Sequence, residues 1–335
     1  MDKIKIMPEL LSSKIAAGEV VERPASVVKE LMENAIDAGA TSIEVHVNEG
    51  GRRMIRVVDN GCGMSRADAT LCATRHATSK IKTDADLDAI TTMGFRGEAL
   101  SSIAAVSKFI LKTRQSEDTA GTSIIIIGGS TPKIKDEGSA VGTSIEINDL
   151  FYNVPARKKF LRTAGTEFGR ITDIFKKLAL SHPEIAFKLI HGSSKVIESP
   201  SGTLKDRISN IFGRPILKEL IEIECPKRGG FSIEGFIAAP SLSYATAKGL
   251  FIYINKRPIK DMGLTKAIIT GYSGLIERGR YPFAVLYLDM PATDVDVNVH
   301  PAKSEIRLKD PAQVFNLIRD TVSKAVSRGS TSVAV

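Results

Sequence analysis

Apolar side chains recur at helical spacing over residues 24–38. Val28, Leu31, Met32, Ala35 and Ile36 fall on one side at about 100° per residue, while Glu30, Asn34 and Asp37 gather on the opposite arc. Pro24 suits the first turn of this helix and Gly39 its left-handed stop. The period then changes to two. Ser42-Ile43-Glu44-Val45-His46-Val47-Asn48 alternates, Asn48-Glu49-Gly50-Gly51 turns, and residues 53–59 return, which predicts a hairpin. Ser65 can cap a helix over 66–73. Residues 74–96 are polar and without period, a long loop of the kind that serves as a lid, and a helix follows to about residue 105. Strands are expected near 107–114, 122–127 and 143–148, helices near 155–163 and 167–181, and two further strands on either side of His191-Gly192-Ser193.

Glu198-Ser199-Pro200-Ser201-Gly202 carries the turn chemistry of a domain boundary. Beyond it come a helix at 203–212, strands near 218–225, 231–238 and 250–255, a helix at 261–272, a strand at 283–290 and a last helix from 311 to about 326. The mixture of strands and helices predicts an α/β protein with one domain over 1–200 and a smaller one over 203–330. Residues 327–335 read as the start of a linker, so the chain is expected to be the front part of a longer protein. Residues 1–22 hold a short apolar segment, expected as an arm that packs on the first domain or meets another subunit.

Composition changes this picture little. At 335 residues, 43% hydrophobic and 25% charged, the chain is long enough for two ordinary cores. No apolar run could span a bilayer, and no secretory segment follows Met1. Cys62, Cys72 and Cys225 have no metal or disulfide spacing, so reduced thiols and a cytoplasmic protein are expected, nucleoid-associated if bacterial. The net charge of +8 is unevenly spread. Residues 1–205 hold 28 basic against 25 acidic side chains, and residues 206–335 hold 18 against 13. The denser excess in the shorter half fits attraction to a phosphate backbone, a balance that many proteins without such a partner share.

Common nucleotide and hydrolase fingerprints are missing. There is no G-x-x-x-x-G-K-[ST], no third Rossmann glycine after Gly61-Cys62-Gly63, no G-x-S-x-G elbow and no zinc-ligand spacing among the five histidines. What remains is an ordered set. A helix bears Glu30 and Asn34, and a strand ends in Asp59 before Gly61, Gly63 and Met64. A polar loop carries Thr78-Ser79-Lys80, Gly94-Phe95-Arg96-Gly97-Glu98-Ala99-Leu100 opens a helix, and Thr143 lies on a later strand. This set resembles the ATPase superfamily shared by the DNA gyrase B subunit, the heat-shock-ninety chaperones, sensor histidine kinases and MutL. The similarity is greatest to the MutL family of DNA mismatch repair proteins. It rests also on Ile15-Ala16-Ala17-Gly18-Glu19-Val20-Val21, on 152–161 (Tyr152-Asn153-Val154-Pro155 and onward) and on Asn298-Val299-His300-Pro301-Ala302-Lys303. Ala99 stands where many superfamily members have a third lid glycine, as it does in the mismatch repair family.

The resemblance implies a GHKL-type α/β sandwich, a mixed sheet with helices on one face, followed by a ribosomal-S-five-like α/β domain. It implies ATP and Mg²⁺ as cofactors. Glu30 resembles the general base that activates water, and Asn34 the Mg²⁺ ligand, an amide oxygen being a hard neutral donor. Asp37 lies on the same stripe, either in the site or as a solvated or structural carboxylate. Asp59 resembles the adenine reader, supported by Thr143, because a carboxylate accepts from the exocyclic amine where guanine has a carbonyl. Gly61 and Gly63 would let backbone approach the base. Residues 94–100 would set N–H groups around the triphosphate at a helix N-terminus, with Arg96 a phosphate ligand or a lid pin. Thr78, Ser79 and Lys80 resemble the part of the lid that touches ribose or phosphates. Lys303 resembles the lysine that reaches the γ-phosphate from the second domain.

For DNA the candidates are Arg257, Lys260, Arg278 and Arg280, with phosphate contacts and no sequence preference. Arg157-Lys158-Lys159 would instead support the ATPase domain. The implied function is slow ATP hydrolysis coupled to conformational change: ATP orders the lid and the N-terminal arm and brings two copies together around DNA, hydrolysis releases the clamp, and mismatch recognition is relayed from a MutS-type protein to a downstream endonuclease and helicase. No nuclease activity is expected of these 335 residues. The alternatives are an ATP-sensing DNA-binding scaffold with negligible turnover and a type II topoisomerase ATPase fragment.

Overall fold

A computed structural model describes residues 18, 20–80, 97–228, 230–296 and 307–331. The helices are α1 (Pro24–Asp37), α2 (Arg66–Leu71), α3 (Ala99–Ala105), α4 (Pro155–Phe160), α5 (Ala164–Ser181), α6 (Leu204–Phe212), α7 (Met262–Gly271) and α8 (Pro311–Thr331). In the first part the strands are β1 (Ser42–Asn48), β2 (Met54–Asp59), β3 (Lys108–Arg114), β4 (Gly121–Ile127), β5 (Lys133–Glu137), β6 (Gly142–Asn148), β7 (Ala186–His191) and β8 (Ser194–Ser199). In the second they are β9 (Leu220–Arg228), β10 (Phe231–Ala238), β11 (Ser243–Tyr244), β12 (Leu250–Ile254), β13 (Arg257–Ile259), β14 (Tyr281–Pro282), β15 (Ala284–Asp289), β16 (Val295–Asp296) and β17 (Arg307–Leu308). The chain divides into two compact units, Met1–Leu178 with Glu184–Ser201, and Ala179–Pro183 with Gly202–Val335.

The first unit is built on an eight-stranded mixed sheet in the order β5-β4-β3-β6-β2-β1-β7-β8. β1 and β7 run parallel, and the other neighbours are antiparallel. Alternate side chains of the central strands are buried on one face: Ile43, Val45 and Val47 on β1, Ile55 and Val57 on β2, Phe109 and Leu111 on β3. The intervening residues of β1 are half-buried. α1 covers the buried face of β1 and β2 with Val28, Leu31, Met32 and Ala35, the stripe that the helical period predicts. Phe175 on α5 packs edge-on against Phe187 on β7, ring centroids 5.9 Å apart.

The second unit has a five-stranded sheet in the order β13-β12-β15-β10-β9, with β12 and β15 parallel. Its two faces carry separate apolar clusters. Ile233, Ile252 and Leu286 pack with Leu264 and Ile268 of α7 and Ile318 and Val322 of α8. Phe236, Phe251, Tyr253 and Val285 pack with Ile208 of α6 and with Leu180. At Gly271 α7 and α8 pack closely, since a Cβ there would lie 2.7 Å from the Val322 side chain. Thr203 and Asp206 form a reciprocal capping box at the start of α6.

The structure differs from the sequence reading in several places: the helix expected near 155–163 ends at Phe160, and Ala179–Pro183 belongs to the second unit. β5, Lys-Ile-Lys-Asp-Glu, has no apolar alternation because it is an edge strand whose charges face solvent. α8 continues to Thr331, so residues 327–331 are helical rather than the start of a linker. Ser327 is absorbed by donating its hydroxyl to the Ser323 carbonyl one turn back. Residues 1–17, 81–96 and 297–306, with the arm, most of the lid, Gly94, Arg96 and Lys303, lie outside the described residues.

Candidate nucleotide site

α1 places Glu30, Asn34 and Asp37 along its polar side, all only partly exposed. Glu30 belongs to a small charged cluster. Lys29 Nζ lies 3.5 Å from Glu30 Oε1 and 3.3 Å from Glu33 Oε1, and Glu33 is buried. Burial alone would lower the Lys29 pKa, but Glu33 and then Glu30 more than offset it and hold the ammonium above its ordinary value. About a quarter of the Glu30 side chain stays open to solvent beside this lysine.

The turn after β2 packs on the end of α1. Cys62 N donates to the Ala38 carbonyl at 3.0 Å, and Gly61 N donates to Asp59 Oδ1 at 2.9 Å. Burial pushes the Asp59 carboxyl above its usual range, while the backbone N–H groups of Gly61 and Thr143 pull it partly back. Asp59 pairs with Thr143 across β2 and β6. The two glycines are needed for packing within the turn. A Cβ on Gly61 would lie 2.8 Å from the Ala38 oxygen, and one on Gly63, whose φ is +68°, would lie 2.1 Å from the Arg114 oxygen.

Sequence reasoning missed the residue that ties this turn to the sheet. Thr113, 1% exposed on β3, accepts from Met64 N at 2.9 Å, donates to the Gly142 carbonyl at 3.0 Å and lies 3.0 Å from Thr143 Oγ1. A threonine on an alternating strand carries no signal by itself; only the register that sets Thr113 opposite Thr143 gives it meaning. Asn60 was also passed over. Its Oδ1 accepts from Thr41 N and Ser42 N at 2.9 and 2.8 Å, fixing the start of β1 against the end of β2.

Thr78, Ser79 and Lys80 approach α1 from the described beginning of the polar loop. Thr78 Oγ1 accepts from Lys80 N at 3.1 Å, and Ser79 is exposed. Lys80 Nζ donates to Asn34 Oδ1 at 2.9 Å and to Asp37 Oδ2 at 2.6 Å. The polar stripe of α1 therefore already holds a cation, which fits its donor set to a metal with phosphate nearby. Among the described residues no group of three or more His, Cys, Asp or Glu could hold a metal ion. The far end of the loop returns beside its beginning: Gly97, φ +62°, has room for no Cβ because the Ala77 oxygen would lie 2.6 Å away, and Glu98 lies 3.5 Å from His76 Nδ1. α3 starts at Ala99, followed by Leu100, with no side chain capping its first turn.

In the second unit Lys260 and Arg278 are exposed and Arg257 is half-buried. Arg280 is committed to the fold: its guanidinium donates to Ser243 Oγ at 2.8 Å and to the Ser243 carbonyl at 2.6 Å. Arg157 of α4 packs against Gly18, where a Cβ would meet its guanidinium at 1.6 Å.

Comparison with known proteins accounts for both units. Residues 22–136 match the family described as histidine kinase-, DNA gyrase B- and HSP90-like ATPase, and residues 208–327 match the DNA mismatch repair protein, C-terminal domain. DNA mismatch repair protein MutL of Syntrophotalea carbinolica is 48% identical over 317 residues, 94% of this chain and 50% of that protein. The chain belongs to the MutL family. MutL of Geobacter sulfurreducens is 45% identical over 324 residues, 97% of this chain and 53% of that protein. The chain thus spans about half the length of the curated MutL relatives it matches. Among solved structures, the N-terminal domain of a DNA repair protein superposes with a TM-score of 0.82 at 26% identity, covering 96% of this chain and 99% of that one. The Aquifex aeolicus MutL ATPase domain complexed with ADP does so with a TM-score of 0.66 at 28% identity, covering 91% and 98%. Within this MutL-family frame the first unit is a GHKL-type ATPase domain.

Proposed function

We propose that this chain binds ATP on the polar side of α1 and hydrolyses it slowly, as the nucleotide-driven part of a DNA mismatch repair protein. The observation that carries this reading is the convergence of Glu30, Asn34, the Asp59–Gly63 turn with Thr143, and Lys80 in a MutL-family GHKL-type domain. Asp59 accepts a hydrogen bond from the adenine amine, and Thr143 supports the same edge. Glu30, 3.5 Å from the Lys29 ammonium and partly open to solvent, orients the attacking water and takes its proton. Asn34 Oδ1 would hold Mg²⁺, which would supply positive charge to neutralise the phosphates. Thr78, Ser79 and Lys80 close on ribose or phosphates, and the N–H groups at the start of α3 face the same anion.

In the second unit Arg257, Lys260 and Arg278 bind DNA phosphates. ATP orders the lid and joins two copies around DNA, and hydrolysis releases them. The clamp relays mismatch recognition from a MutS-type protein to downstream nicking and unwinding enzymes. The nucleotide part of this reading is tested by equilibrium binding of ATP and GTP. ATP is expected to bind more tightly by about a hundredfold or more, because a site built around an amine donor rejects a carbonyl there. Asp59→Ala should remove the preference, and equal binding of the two nucleotides by the unaltered chain would contradict it.

A further inference from the structure

The contact between Lys80 and α1 has a consequence beyond ligand binding. Lys80 Nζ sits on Asn34 Oδ1 at 2.9 Å and on Asp37 Oδ2 at 2.6 Å. Both partners are poorly exposed, with 18% of the Lys80 side chain and 9% of the Asp37 side chain open to solvent. The backbone of Lys80 is itself fixed, its N–H donating to Thr78 Oγ1. Asn34 and Asp37 lie one turn apart on α1, so one ammonium can bridge them without distorting the helix. Charge-assisted hydrogen bonds of this kind are the stronger ones, and here they are sheltered from water.

A divalent cation coordinated by Asn34 Oδ1 could not share that oxygen with an ammonium without strong like-charge repulsion at close range. We propose that Asp37 is a positioning residue that parks the Lys80 ammonium on Asn34, so that Lys80 and the metal ion compete for one amide oxygen. Lys80 is then the stand-in cation of the nucleotide-free site. The metal enters only with a polyphosphate, whose negative charge draws Lys80 off Asn34 and gives the ammonium a new partner. This inference rests on the reading of α1 as the nucleotide and metal face. It gives Asp37 a role that its place on the stripe alone leaves open.

The population of the parked state sets the effect. If parking outweighs release by about tenfold, the metal concentration needed for half-saturation is raised by about tenfold, and removing the lysine restores it. The test follows binding of a fluorescent non-hydrolysable ATP analogue while Mg²⁺ is titrated, for the unaltered chain, Lys80→Met, Lys80→Arg and Asp37→Asn. Half-saturating Mg²⁺ should fall about tenfold in Lys80→Met and fall in the same direction in Asp37→Asn. Lys80→Arg, which keeps the charge, should stay near the unaltered value. Metal-free binding of the analogue should weaken in Lys80→Met, which loses a phosphate partner. An unchanged Mg²⁺ requirement in Lys80→Met overturns the proposal, whether or not Asp37→Asn folds. If the unaltered chain binds no analogue at any Mg²⁺ concentration, the nucleotide reading itself falls, a result distinct from an unchanged requirement.

Discussion

The Asp59 carboxyl is held where its charged form is disfavoured, because burial outweighs the two backbone N–H groups that face it. Its folded pKa lies above the unfolded one, so Asp59 costs no stability in acid and costs most once pH has risen through the folded value. Asp59→Asn keeps an oxygen for Gly61 N and removes the charge. The variant should therefore be more stable than the unaltered chain at neutral pH. That advantage should shrink as pH falls toward 3.8, the ordinary value for an aspartate, as read by thermal unfolding at a series of pH values. ATP binding should weaken in the same variant, a trade of function for stability at one carboxylate. The cysteines give a second residue-scale test. Cys62 is exposed in the turn that follows Asp59, whereas burial pushes the Cys72 thiol up to about 12. Iodoacetamide should label Cys62 long before Cys72, and ATP should slow labelling of Cys62 if that turn lines the nucleotide site.

At the scale of elements, the turn after β2 depends on β3 through Thr113. Thr113→Val deletes the oxygen that accepts from Met64 N and leaves that N–H without its partner. The variant should lose about 1–3 kcal/mol in urea unfolding, the cost of an unsatisfied buried donor, and should also bind ATP more weakly because Thr143 loses its neighbour. This element was half legible. Asp59, Gly61 and Gly63 are legible because, set in order with Glu30, Asn34 and residues 94–100, they resemble the motif of the GHKL-type ATPases. Thr113 is not, because it acts through strand register, which a single sequence does not display. The same division runs through the fold. α1 and the β1–β2 hairpin announce themselves by clean periods of 3.6 and 2. β5 hides behind the charges that protect an edge strand, and the end of α8 hides because Ser327 can satisfy itself within a helix. The meeting of Lys80 with Asn34 and Asp37 spans more than 40 residues of sequence and no local pattern could reveal it.

For the whole molecule, the basic excess of the second half takes on a specific form once Arg280 is set aside. Lys260 and Arg278 are exposed, while Arg280 is bound to Ser243. Binding to duplex DNA should weaken steeply with added salt and show little sequence preference. Lys260→Ala and Arg278→Ala should each reduce the slope of log affinity against log salt by about one. Arg280→Ala should instead lower stability by about 1–3 kcal/mol, from its lost charge-assisted hydrogen bonds, with little change in slope. The central claim concerns Glu30. Its direct test is steady-state ATP hydrolysis with Mg²⁺ by the purified chain and by Glu30→Ala, beside binding of a non-hydrolysable ATP analogue to both. Slow turnover by the unaltered chain, lost in Glu30→Ala while the analogue still binds, is the result expected. Hydrolysis that persists in Glu30→Ala would contradict the account.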